Sequence, residues 1–457
     1  MMMTLHGTTK HDPVHHRRSR RLLLGSAYIG LYLGLAVAPL LVLSLDELPP
    51  RRDFWTELSV ALGFLGLSTM ALQFAVTARL RHVAAPYGID VVVQFHRQIA
   101  VVATVMVVAH PVILFVRDPE LLALLNVLEA PWRARFGVTG LVALLALVVS
   151  SVWRGGLRLP YEPWRIAHGV LAVVAVAFSL THIELVGHYL NEPWKRGFWA
   201  VLTTVLVALL AYVRVVKPLR LRRRPWRVAA VRRETEDTTT LALEPEGHEG
   251  LRFLPGQFAW LILGDSPFTV EQHPFSISSS AMKPERPELT IKALGDWTGR
   301  VSETPVGRRA YLEGPYGAFS VDRYPAPGYV FVAGGVGITP FVGMLRTLED
   351  RGDTRHHRVI YASGRATSLI FKDELDRLAA GPLDLGVTYV LGDPPAGWDG
   401  ATGRIDADLL RRQAVDELPG HVYFVCGPDP LMDAVEDALL ELGVPLDSIH
   451  SERFALD

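Results

Sequence analysis

Long apolar segments dominate the first half of the chain. Leu22–Leu45 is a run of 24 residues without a charged side chain, long enough to cross a hydrocarbon core of about 30 Å as a helix. This run is too long for a cleaved signal peptide and lacks a clear small-residue cleavage site. We therefore expect a membrane anchor. Further spans are predicted at 57–78, 92–116, 136–153, 166–186 and 197–213.

From about Trp226 the apolar runs become short and alternate with turns. TLALEPEG, LRFLPGQFAWLIL and ELTIKALGDWTGR have the alternation of half-buried antiparallel strands, which predicts a small β-barrel. Beyond Pro325, strand-like runs alternate with helical ones, which predicts an α/β domain with a parallel sheet. We therefore predict a cytoplasmic tail over 1–21, an all-α six-helix membrane bundle over 22–216, an antiparallel barrel over 217–325 and an α/β domain over 326–457.

Composition supports a membrane protein and narrows its chemistry. The chain of 457 residues is 49% hydrophobic and 20% charged. Its net charge of −1 provides no field for binding nucleic acid, whereas membrane lipid is an expected partner. Cys426 is the single cysteine, which excludes an intramolecular disulfide and a cysteine-ligated iron–sulfur cluster within the chain. The oligomeric state stays open.

Basic residues are unequally shared between the loops on the two sides of these spans. The richer set consists of the arginines at 17–21, Arg79 and Arg81, then Arg154, Arg158 and Arg165, and finally Lys217 with Arg220–Arg224. The poorer set holds Arg51 and Arg52, then Arg117, Arg133 and Arg135, then Lys195 and Arg196. By the positive-inside rule, we expect a multi-pass protein of the cell membrane with both termini in the cytoplasm.

Two of the apolar spans carry histidines with the same spacing. His96 and His110 lie in one span, and His168 and His182 lie in another. In each span the two histidines are 14 residues apart. On an α-helix they face nearly the same side, about 21 Å apart. A lone polar residue in such a helix usually makes only an interhelical hydrogen bond, but packing gives no reason to repeat the spacing. We predict that His96/His168 and His110/His182 are the axial ligands of two haems.

A short hydroxyl-rich stretch, HPFSISSS, spans His273–Ser280 within the predicted barrel. Its backbone amides and the hydroxyls of Ser276 and Ser278 are suited to a ribityl chain and a pyrophosphate, with His273 near the phosphates. A serine run by itself is more often an exposed loop. This segment alone therefore leaves both interpretations open.

Two turns at the ends of buried strands are suited to a dinucleotide. Gly334–Gly337 ends one strand and opens a helix whose N-terminus can bind a pyrophosphate, and Cys426–Pro428 ends another. The intervening strand ends in Ser363–Arg365 without a carboxylate. Arg365 is suited to a 2′-phosphate, which favours NADPH over NADH. An exposed arginine without a partner is the alternative.

Together these segments resemble the ferric reductase and NADPH oxidase superfamily. The first half is similar to its six-helix bis-haem domain, and the second half is similar to a ferredoxin–NADP reductase type dehydrogenase. The matching motifs are HPFSIS at His273–Ser278, EGPYG at Glu313–Gly317, GGVGITP at Gly334–Pro340 and CGPDPLM at Cys426–Met432. The resemblance covers nearly everything from residue 22 onward, and it implies FAD, two b-type haems and NADPH, with NADH as the alternative.

The motifs and the resemblance together assign roles to individual residues. Thr339 and Gly335 are expected to orient the nicotinamide, Cys426 to lie beside the hydride path, and Thr339 and Cys426 to be catalytic. Many relatives end on an aromatic residue that stacks on the flavin, and Phe454 is the candidate here, although three residues follow it. The residues predicted to bind FAD or NAD(P)H are His273, Pro274, Phe275, Ser276, Ile277, Ser278, Gly295, Thr298, Gly334, Gly335, Gly337, Thr339, Arg365, Cys426, Gly427, Pro428 and Phe454.

These features predict an electron path across the membrane. NADPH would reduce FAD in the cytoplasm, and electrons would pass to the His96/His168 haem, then to the His110/His182 haem and to an acceptor outside. Histidine at both axial positions suits electron transfer rather than direct oxygen binding. Oxygen and a ferric or cupric chelate stay open as acceptors. The alternative is a haem-free membrane segment that only anchors a NAD(P)H:flavin reductase.

Overall fold

The computed structural model describes residues 13–45, 50, 52–80 and 89–453. Its contacts form two compact units, one of Met1–Tyr87 with Phe95–Val207 and the other of Gly88–Gln94 with Ala208–Asp457. The first unit holds most of the apolar helices, and the second holds two β-sheets.

Six apolar helices follow one another in the described part of the first half. They are α1 (Pro13–Leu43), α2 (Phe54–Thr77), α3 (Ile89–Arg117), α4 (Trp132–Val152), α5 (Tyr161–Val186) and α6 (Pro193–Ala211). Each is apolar and long enough to cross a hydrocarbon core, so the chain is a multi-pass membrane protein. Helix α2 begins at Asp53, whose Oδ1 accepts hydrogen bonds from the amides of Trp55 and Thr56.

The helices extend further than the apolar runs predict. Helix α1 begins at Pro13, so residues 13–21, predicted as a tail, are helical. Helices α4 and α5 begin four and five residues before the predicted positions, because the membrane–water interface tolerates charged side chains in these first turns. The last span does not end near residue 213, since α6 continues through a π-helical turn into α7 (Lys217–Arg222).

Small residues let neighbouring helices approach closely. A Cβ on Gly66 of α2 would lie 2.7 Å from Val107 Cγ2 of α3, and one on Gly140 of α4 would lie 3.2 Å from Ser179 Oγ of α5. In lipid, where burial of apolar surface gives little driving force between helices, such close packing holds them together.

An antiparallel sheet begins after the last helix. Its strands are β1 (Trp226–Thr235), β2 (Thr238–Pro245), β3 (Phe258–Leu263), β4 (His273–Ser276), β5 (Glu288–Lys292) and β6 (Arg309–Tyr316), with a short helix α8 (Asp296–Gly299) before β6. The strand order is β4-β3-β6-β1-β2-β5. Leu241, Leu243, Leu261 and Leu289 fill its buried face, as the alternating pattern predicts.

The antiparallel strands of the predicted barrel are present, but the barrel is not closed. Strands β4 and β5 remain edges, and a single bridge between Ile277 and Leu289 joins this side of the sheet among the described residues. Closure needs a continuous ladder between the first and last strands, and β4 has four residues and β5 five. The sheet is therefore open beside the flavin motif.

The rest of the second unit is an α/β structure. Its parallel strands are β7 (Tyr329–Gly334), β8 (His357–Ser363), β9 (Leu385–Leu391), β10 (Ala401–Thr402), β11 (Val422–Cys426) and β12 (Ile449–Ser451), in the order β10-β9-β8-β7-β11-β12. Its helices are α9 (Thr339–Asp350), α10 (Lys372–Ala379), α11 (Ala407–Leu410) and α12 (Asp429–Glu441). Phe331 and Val332 of β7 belong to different cores, so both faces of the sheet are covered. The order reverses between β7 and β11, where ligands bind in such sheets.

Helix α9 packs on the antiparallel sheet through one glycine and one ion pair. A Cβ on Gly343 would lie 2.4 Å from the carbonyl oxygen of Ile277. Arg346 Nη1 donates to Glu288 Oε2 at 2.8 Å and to the main-chain oxygen of Ser278 at 2.9 Å. Burial alone would raise the pKa of the Glu288 carboxyl, but hydrogen bonds and charge from Arg232 and Arg346 lower it below its usual value. The two sheets are thus joined at the flavin motif.

Candidate electron-transfer site

Helices α3 and α5 each carry two histidines on one face, and the structure brings these four residues together in two pairs. We call His96 and His168 the N-terminal pair, and His110 and His182 the C-terminal pair, after their places on the helices. The ring centres are 6.4 Å apart in the N-terminal pair and 6.5 Å apart in the C-terminal pair. The repeated spacing therefore produces two similar sites at two levels of the same helix pair.

Each of the four imidazoles directs Nδ1 at an oxygen atom of α2 or α4. The Nδ1 distances are 2.9 Å from His96 to Gln73 Oε1, 3.0 Å from His110 to the main-chain oxygen of Ser59, 3.1 Å from His168 to Ser151 Oγ and 2.6 Å from His182 to the main-chain oxygen of Arg133. An oxygen acceptor at Nδ1 places the ring proton there and leaves the lone pair on Nε2. This is the tautomer that a metal requires.

Two facing imidazoles at these separations fit axial ligation. With metal–nitrogen bonds of about 2 Å and each ring centre about 1 Å behind its nitrogen, rings on opposite sides of a metal have centres about 6 Å apart. No three His, Cys, Asp or Glu side chains cluster as a metal site within the described ranges. A haem supplies its other ligands itself and needs only two residues. Each pair is therefore suited to a haem.

Helices α2 and α4 support the C-terminal pair in the same way. A Cβ on Gly63 would lie 3.2 Å from the His110 ring, and one on Gly137 would lie 2.9 Å from the His182 ring. Gly63 lies four residues after Ser59, which accepts from His110. Gly137 lies four residues after Arg133, which accepts from His182. At the C-terminal pair, the hairpins α2–α3 and α4–α5 therefore share one arrangement of acceptor and glycine.

The hydroxyls of Ser276 and Ser278 in the flavin motif differ in their hydrogen bonding. Ser276 is 4% exposed, and its Oγ has no hydrogen-bond partner among the described residues. Such an atom in a folded protein calls for an explanation, and a bound ligand is one. Ser278 Oγ lies 2.9 Å from Thr290 Oγ1 and 3.2 Å from the main-chain oxygen of Glu288. Ser276 thus fits the predicted flavin contact, whereas the Ser278 hydroxyl is engaged within the protein.

Three rings stack beside this motif. The ring centre of Trp297 lies 4.2 Å from that of His273 and 5.9 Å from that of Phe275, in stacked orientations. Pro274 lies between them on β4, and Ile277 is buried in the core of the sheet. A flat aromatic surface of this kind suits the ring system of a flavin nucleotide.

Gly295 and Thr298 shape the turn that carries Trp297. Thr298 Oγ1 accepts hydrogen bonds from the amides of Leu294 and Gly295, at 2.9 Å each. These bonds explain the conformation of the turn without a cofactor. A cofactor contact by Gly295 and Thr298 stays a prediction.

The two glycine turns meet at the carboxyl ends of β7 and β11. A Cβ on Gly337 would lie 2.3 Å from the main-chain oxygen of Cys426, and one on Gly427 would lie 3.0 Å from the amide nitrogen of Gly334. The turns therefore pack backbone against backbone, which requires glycine at Gly337.

Two helix N-termini open at the same place. Thr339 begins α9, is 2% exposed, and donates from Oγ1 to the main-chain oxygen of Val336 at 2.9 Å. Gly335 has a φ of +54°, in the left-handed region that favours glycine. Pro428 precedes α12. Main-chain amides at these N-termini are suited to a pyrophosphate, and the individual contacts stay predictions.

Cys426 and Glu452 form a buried pair beside these turns. Burial raises the pKa of the Cys426 thiol, and the Glu452 carboxylate raises it further, so the thiol is neutral. Strand β12 pairs with β11 and carries Glu452 to the same end of the sheet. Glu452 is 7% exposed, and its Oε1 lies 3.3 Å from the place a Cβ on Gly317 would take.

Arg365 follows β8, and its Nε lies 3.7 Å from Asp393 Oδ2, with both side chains at least three-quarters exposed. Both interpretations of Arg365, a phosphate ligand and an exposed surface arginine, stay predictions. An exposed ion pair at this distance is weak, so the guanidinium is free to meet a phosphate. Phe454 lies outside the described residues, and its stacking on the flavin stays a prediction.

Three groups at these sites were not predicted from the sequence. The acceptors on α2 and α4 include Gln73 and Ser151, and polar side chains within apolar spans are a usable signal for them. Trp297 lies two residues after Gly295, and an aromatic residue in a turn beside the flavin motif was the signal there. Glu452 was marked only by its place after a short terminal strand.

Three family descriptions match successive parts of the chain. "Ferric reductase like transmembrane component" matches residues 62–179, "FAD-binding domain" matches 225–320, and "Oxidoreductase NAD-binding domain" matches 331–437.

Similar proteins include two reductase components of bacterial oxygenases. The reductase component of propane 2-monooxygenase from Rhodococcus jostii is 30% identical over 50% of this chain and 62% of its own length. The stachydrine N-demethylase reductase subunit from Rhizobium meliloti is 33% identical over 44% of this chain and 58% of its own length. The chain thus spans about three-fifths of the length of these curated relatives.

Among solved structures, the cytochrome b5 reductase domain of Ulva prolifera nitrate reductase matches 51% of this chain and 98% of its own, with 21% identity and a TM-score of 0.45. The three family matches follow one another along the chain in the same order as the bundle, the antiparallel sheet and the parallel sheet. The chain therefore has the ferric reductase and NADPH oxidase architecture, a ferric reductase-like membrane domain followed by a flavin- and nicotinamide-binding oxidoreductase module.

Proposed function

We propose that this protein is a transmembrane oxidoreductase that passes electrons from NAD(P)H, through FAD and two b-type haems, to an acceptor across the membrane. The observation that carries the proposal is the two histidine pairs, with ring centres 6.4 Å and 6.5 Å apart. They belong to a chain that continues into FAD- and NAD-binding domains. An anchor without haem would have no use for this arrangement.

The chain's own residues have defined tasks in this scheme. When bound, NAD(P)H supplies a hydride, and flavin and haem supply its conversion into single electrons. Ser276 Oγ, buried and without a hydrogen-bond partner among the described residues, would hydrogen-bond the flavin, and the neutral thiol of Cys426 and the carboxyl of Glu452 would border the hydride path. His96 with His168, and His110 with His182, would each hold one haem, and haems held by two histidines would supply electron transfer rather than direct binding of the acceptor.

The distribution of basic loops supports an orientation with both termini in the cytoplasm, in the cell membrane. Successive spans run in opposite directions, so α3 and α5 both begin on the cytoplasmic side. The N-terminal pair then holds the inner haem, and the C-terminal pair the outer one. Membrane lipid surrounds the bundle, and net charge offers no reason to expect nucleic acid as a partner.

We propose NADPH as the preferred donor, with NADH as the alternative. The support is Arg365 at the carboxyl end of β8, exposed and only weakly paired with Asp393. We propose a small outer acceptor, oxygen or a ferric or cupric chelate. The preference for NADPH is tested by measuring kcat/KM for NADPH and for NADH in the wild type and in Arg365→Ala.

The decisive experiment is the haem-to-FAD ratio of the purified full-length protein, with its optical spectrum. We expect a b-type Soret band and two haems per flavin. His168→Leu should lose one haem, whereas the matched variant His188→Leu, at a histidine outside both pairs, should keep two. A protein without a Soret band, or with one haem per flavin, would contradict the proposal and favour the haem-free reductase.

The acceptor is identified on the same preparation. Cytochrome c reduction that superoxide dismutase inhibits indicates oxygen as the acceptor. Rapid reduction of a ferric chelate, with no such signal in air, indicates a metal-chelate reductase.

A further inference from the structure

The C-terminal pair has main-chain acceptors that the N-terminal pair lacks. In the C-terminal pair both Nδ1 atoms face main-chain oxygens, those of Ser59 and Arg133. His110 Nδ1 also lies 2.9 Å from Ser59 Oγ, whose hydroxyl donates to the main-chain oxygen of His110 at 2.8 Å. In the N-terminal pair both face side-chain oxygens, those of Gln73 and Ser151. A substitution can remove a side-chain acceptor but leaves a main-chain oxygen in place. A substitution can therefore change the hydrogen bonding of the N-terminal pair without changing that of the C-terminal pair.

The amide of Gln73 is held in one orientation. Its Nε2 lies 3.2 Å from the main-chain oxygen of Thr69 and 2.9 Å from Tyr32 Oη. A carbonyl oxygen only accepts hydrogen bonds, so the NH2 group faces Thr69 and Oε1 faces His96, at 2.9 Å. Gln73 is 8% exposed, which shields this bond from competing water. Gln73 therefore determines which nitrogen of His96 carries the proton.

The second acceptor of the N-terminal pair is weaker. The Ser151 hydroxyl donates its proton to the main-chain oxygen of Leu147 at 2.7 Å, and a lone pair of the same oxygen faces His168 Nδ1 at 3.1 Å. A hydroxyl oxygen at this distance polarises the imidazole less than an amide oxygen at 2.9 Å. Gln73 is thus the dominant side-chain acceptor at this level of the bundle.

We propose that Gln73 is a positioning residue that sets the reduction potential of the haem held by the N-terminal pair. The inference rests on the proposed haem ligation. By accepting a hydrogen bond from Nδ1–H, Gln73 makes His96 a stronger electron donor, which favours ferric iron and lowers the potential. Outer-shell partners change metal affinity by roughly tenfold or more. A tenfold change that falls on the ferric state alone moves a one-electron potential by about 59 mV.

The lowering of the potential by Gln73 favours electron transfer from the first haem to the second. Loss of the Gln73 acceptor raises that potential, so electrons accumulate at the N-terminal pair and transfer across the membrane slows. The main-chain acceptors of the C-terminal pair keep the second potential constant.

The test is an anaerobic redox titration of the full-length protein, followed at the haem α-band and by the low-spin ferric EPR signals. In Gln73→Leu we expect two haems per FAD, one midpoint potential raised and the other unchanged, with a shift in one EPR signal. Ser68→Ala is the matched control, because this buried residue of α2 bonds the main-chain oxygen of Phe64 rather than a histidine. It should leave both potentials in place.

A second variant decides the case if Gln73→Leu loses a haem. Gln73→Glu keeps an acceptor oxygen, and we expect the potential at or below its wild-type value. A potential raised in Gln73→Glu, or unchanged potentials in Gln73→Leu, would overturn the role of Gln73 while leaving the haem proposal intact. Absence of haem from the wild type would overturn both.

Discussion

At the scale of single residues, a buried polar atom that the protein leaves unbonded marks a place for a ligand. Ser276 Oγ is such an atom within the described residues, whereas the neighbouring hydroxyl of Ser279 already accepts a hydrogen bond from the amide of Glu288 at 3.1 Å. Two serines of one motif therefore have different tasks. Ser276 is the candidate for a flavin contact, and Ser279 stabilises the edge of the sheet.

We expect Ser276→Ala to bind FAD but to slow flavin reduction by NADPH roughly 100-fold, the usual effect of losing one preorganised hydrogen bond at a reacting group. Anaerobic stopped-flow absorbance of the flavin measures the rate. Ser279→Ala is the control, and it should lower the free energy of unfolding by about 1 kcal/mol with little change in that rate. Equal rates in both variants would remove Ser276 from the flavin site.

His357 makes the nicotinamide domain sensitive to acid. It is fully buried, its Nδ1 accepts from the amide of Tyr329 at 3.2 Å, and burial lowers its pKa to about 4 although Asp353 opposes the shift. In the unfolded chain its pKa is about 6.5. The unfolded state therefore binds a proton that the folded state does not, so the stability present above pH 6.5 is lost as the pH falls towards 4.

Between pH 6.5 and 4 we expect this residue to change the free energy of unfolding by about 1.4 kcal/mol per pH unit. His357→Gln should be less stable at pH 7.5 and should show a smaller loss between pH 7 and 5. Urea unfolding followed by tryptophan fluorescence measures both values. The same pH slope in the variant and the wild type would contradict this role.

At the scale of elements, contact between two turns sets the nucleotide site. Backbone atoms surround Gly337, because a Cβ there would lie 2.3 Å from the oxygen of Cys426 and 2.8 Å from the amide nitrogen of Gly427. Neither neighbour can move without separating β7 from β11. We expect Gly337→Ala to raise KM for NADPH at least about tenfold and to lower the free energy of unfolding by about 1–3 kcal/mol.

Steady-state kinetics and urea unfolding measure these two effects. Gly364→Ala is the matched variant, because a Cβ on this glycine, at the end of β8, meets no atom within 4 Å. Its KM should change less than twofold. Equal effects of the two substitutions would show that glycine content, and not contact between the turns, is responsible.

The elements that local pattern determines were predictable, and those that depend on distant contacts were not. Six spans follow from apolar length, and the shared face of His96 and His110 follows from the helix period. The pairing of His96 with His168 follows from the two spans running in the same direction. Closure of the barrel depends on the lengths of β4 and β5, which alternation does not reveal. Gln73 lies 23 residues from His96, so only the packing of α2 on α3 shows that they meet.

At the scale of the whole molecule, the membrane domain repeats one hairpin. His96 and His168 are 72 residues apart, as are His110 and His182, and Gly63 and Gly137 are 74 residues apart. Repetition explains why the two histidine pairs have nearly the same ring separation. It also makes the order of electron transfer testable, because one pair can be removed while the other keeps its own helices and acceptors.

If both termini lie in the cytoplasm, as proposed, the N-terminal pair holds the inner haem, and the two haems should not be equivalent. In His182→Leu, NADPH should still reduce the remaining haem, while acceptor reduction falls at least about 100-fold because the exit from the membrane is lost. In His168→Leu the remaining haem should stay oxidised, because about 20 Å of helix separates it from the entry point. Anaerobic stopped-flow spectra at the haem α-band distinguish these outcomes. A His168→Leu protein whose remaining haem is reduced at the wild-type rate would reverse the proposed direction of the path.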